Sequence, residues 1–268
     1  MKRLLSLLAA TGLVAGSLLG AATTARADDA SGGVTFEVGE FAVPNLVVSS
    51  PGCHRIPIAV PYTMNAPGMD IAEVNGAFFI FHGSSKHLAR VDPLVLADST
   101  RSGLLTESGV EFEDFVWCPT KSSAPISGVG RFTMRGMGLS WWKAGTPLGG
   151  APDGYTTVPR TGTFTVKRAT QASAVKLVKK GTKRTLSAKL TYFSVSKQAW
   201  KALPKGTRVE LQRRAADGSG TWKRIGTVRV GAKGAVKASY RTRTTYQYRF
   251  FYPGSPTRTK VGSMVVTK

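Results

Sequence analysis

Between residues 208 and 254 the chain reads VELQRR, GTWKRIGTV, GAVKASY and YQYRFFYPGS in turn, and each run alternates apolar and polar residues. A period of two puts successive side chains on opposite faces of a strand and gives a helix no coherent apolar stripe. Glycine-rich breaks, as at 216–220, separate the runs and supply tight turns. Short alternating runs at this spacing predict a sandwich of antiparallel strands.

The chain opens with Lys2 and Arg3, an apolar run over 4–22, and Ala25-Arg26-Ala27. A basic start, an apolar core and small residues before a cut describe a secretory leader, cleaved after Ala27. Residues 28–268 are then long enough for about two domains, each with its own core. No later stretch is long and apolar enough to span a bilayer. In an oxidising compartment Cys53 and Cys118, the two cysteines, are expected to form one disulfide. Closing that loop contributes about 3–4 kcal/mol.

Charge divides the chain unevenly. Residues 28–166 carry 9 basic and 13 acidic residues; residues 167–268 carry 25 basic residues against Glu210 and Asp217 alone, a net of +23. A mildly acidic unit, 28–167, is thus followed by a strongly cationic one, 168–268.

In the first unit, Ile56, Ile58, Val60 and Tyr62 share one face and Pro57 and Pro61 the other, which predicts an edge strand. Residues 70–81 read as one long strand, or two broken near Asn75-Gly76. The 77–81 segment is too apolar to be half exposed. Phe112 and Phe115 imply a bulge. Strands are also expected at 128–135 and 155–168. The fold class expected is all-β, seven to nine strands in an immunoglobulin-like arrangement. Cys118 precedes the Gly-Arg-Phe strand, so its disulfide cannot be the usual bridge between the central strands of an antibody domain.

In the second unit, residues 168–174 read as a polar linker. Inner faces are expected from Leu186, Ala188, Leu190 and Tyr192, from Val209 and Leu211, from Val236, Ala238 and Tyr240, and from Tyr246 to Tyr252. Ser194 to Leu203 reads as a short helix stopped by Pro204. A phase change between Trp222 and Val228 implies a bulge near Ile225-Gly226. The order VELQRR, GTWKRIGTV, GAVKASY and YQYRFFYPGS over 174–267 resembles the bacterial immunoglobulin-like modules of secreted actinobacterial proteins. Such modules act as spacers or adhesive units, and the resemblance implies no active site. The complete expectation is two immunoglobulin-like antiparallel β-sandwiches in tandem after a cleaved signal peptide.

Signs of catalysis are scarce. His82 and His87 flank a loop, but their spacing matches no common metal-ligand pattern. Ser84, His87 and Asp92 could be assembled into a triad only by free choice. Glu111, Glu113 and Asp114 lack a calcium-loop spacing. Neither a cofactor nor a metal is expected. Trp141 and Trp142 must face opposite ways on a strand. One is core, and the other is either a stacking surface for a ligand or covered by the 144–154 loop.

The basic residues are the sharpest feature. Lys179, Lys180, Lys183 and Arg184 form a basic turn. Arg208, Arg214, Lys223, Arg229, Arg241 and Arg243 point outward by alternation, as do Lys237 and Arg249. A field of that sign concentrates polyanions. The function expected is a secreted, non-enzymatic protein of binding or adhesion type, extracellular or cell-wall associated, docked on an anionic cell-envelope polymer or polysaccharide. A further extracellular protein is a second class of partner; nucleic acid is not expected as the physiological one. The alternative readings are a carbohydrate-active or hydrolytic first domain carried by the basic module, and an extracellular inhibitor.

Overall fold

Most of the alternating runs become strand, though residues 56–58 lie outside any strand. The structure, a computed structural model, describes residues 25–28, 33–40, 43–82, 87–91, 94–95, 102–106, 116–119, 126–147 and 150–267. Among these, every regular element is a β-strand except two single-turn 3-10 segments, Val195–Lys197 and Ala232–Gly234. The apolar leader run at 4–22, Ser84, Asp92, the acids 111–114 and the expected bulge at 112–115 lie outside the described residues. The expected cleavage point after Ala27 falls within the strand Ala25–Asp28, which pairs with Thr35–Val38.

Three long strands form the frame of the first half: Ile71–His82, Gly130–Lys143 and Gly154–Arg168. They run antiparallel with Gly130–Lys143 in the middle. A second sheet has the order Ala25–Asp28, Thr35–Val38, Ala59–Asn65, Ser102–Thr106. The two sheets share one apolar core. Phe36, Tyr62 and Met64 of the second sheet meet Phe78, Ile80, Phe132 and Trp141 of the first. The rings of Phe36 and Trp141 are 5.4 Å apart across this core. Burial removes apolar surface from water at about 25 cal/mol per Å².

Of the two readings of 70–81, the one long strand is found: Ile71–His82 is unbroken at Asn75-Gly76. Other expectations for this half are corrected. Only one face of that strand is buried: Phe78 and Ile80 are inside, while Phe79 is 44% exposed. A central position in the hydrogen-bonded ladder does not place both faces in the core. Ile56, Ile58 and Tyr62 are buried and Pro57 and Pro61 exposed, as alternation requires. Yet Ala59–Asn65 pairs on both sides, with Thr35–Val38 and with Ser102–Thr106. Pro61 withholds only its own donor; its carbonyl accepts from Gly39 N at 2.8 Å. Pairing is not purely antiparallel either. Leu46–Val48 joins Gly154–Arg168 in parallel, and Val116–Cys118 joins Ile126–Ser127 likewise.

Cys53 and Cys118 are disulfide-bonded. Their strands, His54–Arg55 and Val116–Cys118, are antiparallel neighbours in one small sheet. The bridge therefore does not cross between the central strands. Trp117, fully buried beside it, donates from Nε1 to Gly128 O at 2.6 Å.

In the second half, Lys183–Ser194 is the central strand of one sheet, with Lys176–Lys180, Ala235–Arg241, Thr170–Ala172 and Ala199–Ala202 against it. Arg208–Ala215 is central in the other, between Lys223–Arg229 and Tyr246–Tyr252. Val261–Gly262 and Val266–Thr267 close that sheet beside Tyr246–Tyr252. Leu186, Leu190, Val209, Leu211, Val236, Tyr248 and Phe250 fill a second core. The register shifts between Leu211 and Gln212, whose partners are Gly226 and Arg224, so Ile225 is the bulge the phase change predicts.

Two expectations for this half are overturned. Residues 194–203 are not a helix. One 3-10 turn, Val195–Lys197, ends at Gln198 in the left-handed region (φ 46°), and Ala199–Ala202 returns as a strand against Lys183–Ser194. Strand pairing, and the packing of Phe193 and Trp200 against the first core, outweigh local helix propensity. Nor is 168–174 a free linker. Arg168 N donates to Thr257 O, Thr259 N to Arg168 O, and Ala169 N to Val48 O. Thr170–Ala172 then pairs with Lys183–Ser194.

Candidate functional site

The outer face of the sheet formed by Lys223–Arg229, Arg208–Ala215 and Tyr246–Tyr252 gathers much of the charge that alternation turns outward. Cross-strand partners point to the same face. Arg208 is opposite Arg229, Glu210 lies between Thr227 and Phe251, Gln212 between Arg224 and Arg249, and Arg214 beside Gln247. Val209 and Leu211, the intervening residues, are buried on the inner face. One sheet surface thus carries five arginines and one carboxylate.

This surface has two parts. An open groove of about 450 Å³ is lined by Arg208, Glu210, Arg224, Thr227, Arg229 and Pro253. Glu210 Oε1 is 3.9 Å from Arg224 Nη1, an ion pair of exposed geometry that contributes little by itself. Next to the groove is an ordered array. Arg214 and Arg249 both stack on the Trp222 ring, 4.7 and 4.2 Å from its centroid. Arg214 Nε donates to Gln247 Oε1 and Arg249 Nε to Gln212 Oε1, each at 2.8 Å. The glutamines are fixed in turn: Gln247 Nε2 donates to Ala216 O at 3.0 Å and Gln212 Nε2 to Glu210 Oε2 at 2.7 Å. Burial first, and the adjacent Arg214 charge second, pull the Arg249 guanidinium below its ordinary value.

The other expected cations lie elsewhere. Lys180 pairs with Lys183 at the end of a hairpin, and Lys183 with Arg241. With Lys179 and Arg243 they form a second exposed group on the other sheet. Lys223 is exposed but is opposite Arg213, on the side away from the array, because the Ile225 bulge makes Arg224 the outward residue instead. Arg184 is the correction. It is 2% exposed, donates from Nη1 to Gly181 O at 2.7 Å, and is not a surface cation. Its register opposite Tyr240 turns it to the inner side of the sheet, which the run of basic neighbours in the sequence concealed.

Trp222 is the member of this array that sequence reasoning passed over. It immediately precedes the strand Lys223–Arg229, upstream of the Ile225 bulge, and lies against the outward arginines rather than in the core. The signal that could have found it was the bulge itself, because an extra residue reverses which side chains face out.

In the first half, Trp141 is core and Trp142 is half-buried and tied to the loop. Gly154 leaves room for the Trp141 ring, since a Cβ there would come within 2.0 Å of it. Trp142 Nε1 donates to Gly150 O at 3.0 Å, so the expected loop lies over it. Asp153 Oδ2 fastens this loop by accepting from Lys143 N at 2.8 Å and Thr146 Oγ1 at 2.7 Å. These two bonds, the backbone one first, hold the Asp153 carboxyl below its ordinary 3.8. A depressed aspartate contributes stability that is complete above that ordinary value and is lost as pH falls below it, through the folded value. Acidification through that window, or Asp153→Asn at neutral pH, is expected to loosen the loop and shift Trp142 emission to the red. No shift relative to a Trp142→Phe background would refute this.

His82 is packed rather than poised. Its ring stacks on Phe132 at 4.4 Å, and its Nε2 is 3.2 Å from Val129 O. The described part of His87 is its strand, His87–Val91, which pairs with Ile71–His82. Among the described residues, no three His, Cys, Asp or Glu side chains converge as metal ligands, and no helix is long and apolar enough to cross a membrane.

No family model matches the chain, and no curated protein does. Solved structures similar to it include the D0-D1 domain of Intimin, at 13% identity over 86% of this chain and 97% of that one, with a TM-score of 0.25. The D00-D0 domain of Intimin is similar at 8% identity over 86% of this chain and 98% of that one, with a TM-score of 0.26. At those scores the likenesses carry no argument about mechanism, and the reading of this chain rests on its own residues.

Proposed function

We propose that this chain is an exported, non-enzymatic protein of binding or adhesion type, built as two immunoglobulin-like sandwiches in tandem, 28–167 and 168–268. Its cationic second sandwich docks on an anionic polymer of the cell envelope, so the protein is extracellular and associated with the wall. The observation that carries this reading is the outer face with Arg208, Arg214, Arg224, Arg229 and Arg249, where Glu210 is the one carboxylate. Each exposed contact is weak and screened, so attachment comes from their sum.

The test is sedimentation of the full chain with purified cell wall at increasing salt. Affinity is expected to fall about tenfold or more between about 50 and about 200 mM salt, as displaced counterions require. Arg208→Gln with Arg229→Gln is expected to flatten that dependence. Binding that is absent at low salt, or indifferent to salt, refutes the proposal.

A further inference from the structure

Arg214 and Arg249 are held in a way that mere solubility does not require. A solubilising cation stays hydrated and mobile; these two have fixed planes. Each Nε–H is taken by a glutamine oxygen, and each glutamine is anchored at its other end. Among the described residues, neither guanidinium forms a salt bridge, and no Nη atom of either donates to the protein. The Nη edges, the part of the fork that grips oxyanions, are therefore uncommitted. Two acids adjoin the pair: Glu210 has one oxygen on Gln212 and the other toward Arg224, and Asp217, whose charge acts on Arg214, accepts from Ser219 N at 2.8 Å.

The two guanidinium carbons are within about 9 Å of one another, since both stack on one indole ring. Two partly desolvated like charges at that distance repel, and an anion within reach of both relieves the repulsion. A planar carboxylate satisfies one fork edge-on. A phosphodiester carries its charge on two non-bridging oxygens set on a tetrahedral phosphorus, so each can accept from a different guanidinium.

We propose that Arg214 and Arg249, aligned by Gln247 and Gln212 and stacked on Trp222, form a paired-guanidinium site for the phosphodiester groups of a flexible envelope polymer. The inference rests on the docking role proposed above and narrows it to phosphate as the recognised group. The groove lined by Arg208, Arg224 and Arg229 adjoins the pair and gives neighbouring phosphates of the same polymer a track. Trp222 aligns the pair and also reports on it, because an anion at either guanidinium changes the field on the indole.

The experiment uses the full chain and two probe polymers of matched charge density, a glycerol-phosphate polymer and polygalacturonate. Calorimetry gives affinity and tryptophan emission gives occupancy. Wild type is expected to favour the phosphate polymer about tenfold, as one or two charge-assisted bonds allow. Arg214→Lys with Arg249→Lys keeps the charge but removes the forks. That variant is expected to lose the preference while its melting temperature stays within a few degrees. Lys180→Gln with Lys183→Gln, on the other sheet, is expected to keep the preference despite losing two charges. The emission change is expected to vanish in Trp222→Phe. Equal affinity for both polymers, or an unaltered preference in the double-lysine variant, overturns the site; tighter binding of single-stranded DNA, which carries the same phosphodiester, overturns the envelope polymer as its occupant. If wild type binds neither polymer at low salt, the docking role fails with it. If it binds both alike, only the phosphate site fails.

Discussion

Replacing Cys53 and Cys118 with serine is expected to lower the stability of the first half by about 4 kcal/mol. The two cysteines are 65 residues apart, and their bond joins neighbouring strands paired at Val116–Arg55 and Trp117–His54. Without it the unfolded chain regains the freedom of a long loop, and folding must close that loop by non-covalent contacts. The buried indole of Trp117, hydrogen-bonded to Gly128 O, depends on the same closure. Urea denaturation of the oxidised protein, the reduced protein and the double-serine variant measures the effect. Equal midpoints for all three would mean that Trp117 and its neighbours hold the small sheet without covalent help.

Gly234→Ala is expected to destabilise the second half by about 3 kcal/mol, the sum of a left-handed backbone penalty and overpacking. Gly234 has φ +77°, and a Cβ there would come within 2.3 Å of Leu190 O and 3.4 Å of the Ala202 Cβ. The carbonyl cannot simply move aside, because it already accepts from Leu203 N at 2.9 Å. Relief of the clash would break that bond or shift the Lys183–Ser194 strand. Gly206→Ala is the control. Its φ is +86° with no atom within 4 Å of the added carbon, so only the backbone penalty of about 1 kcal/mol remains. Thermal unfolding of both variants separates clash from conformation. If they melt together, the close approach at Leu190 is not a real constraint.

The parts of this fold legible in the sequence are those set by neighbours two residues away. Alternation at Leu186 to Leu190 and at Val209 and Leu211 identified the inner faces of the second half. The broken phase after Trp222 located the bulge at Ile225. Adjacent tryptophans at 141 and 142 had to face opposite ways, and they do, Trp141 into the core and Trp142 to the loop side. The misreadings at Ser194 to Leu203 and at 168–174 share one cause. Both segments look polar or helical by themselves, and each is drawn into strand pairing by partners far along the chain. Phe79 shows the converse, since an apolar run cannot say which of its two faces has a sheet to cover it.

The charge and the period of the chain are local properties, so the amino-acid order alone determined an all-β architecture, a cystine and a cationic second half. Which cations act together is not local. Arg184 and Lys183 are adjacent in the chain, yet one is buried and the other exposed, because a strand turns neighbours to opposite sides. Arg214, Trp222 and Arg249 are spread over 36 positions and come within a few ångströms only through the pairing of three strands around a bulge. Tertiary structure decided that grouping, since hydrogen-bond register, and not sequence spacing, sets which side chains meet across a sheet.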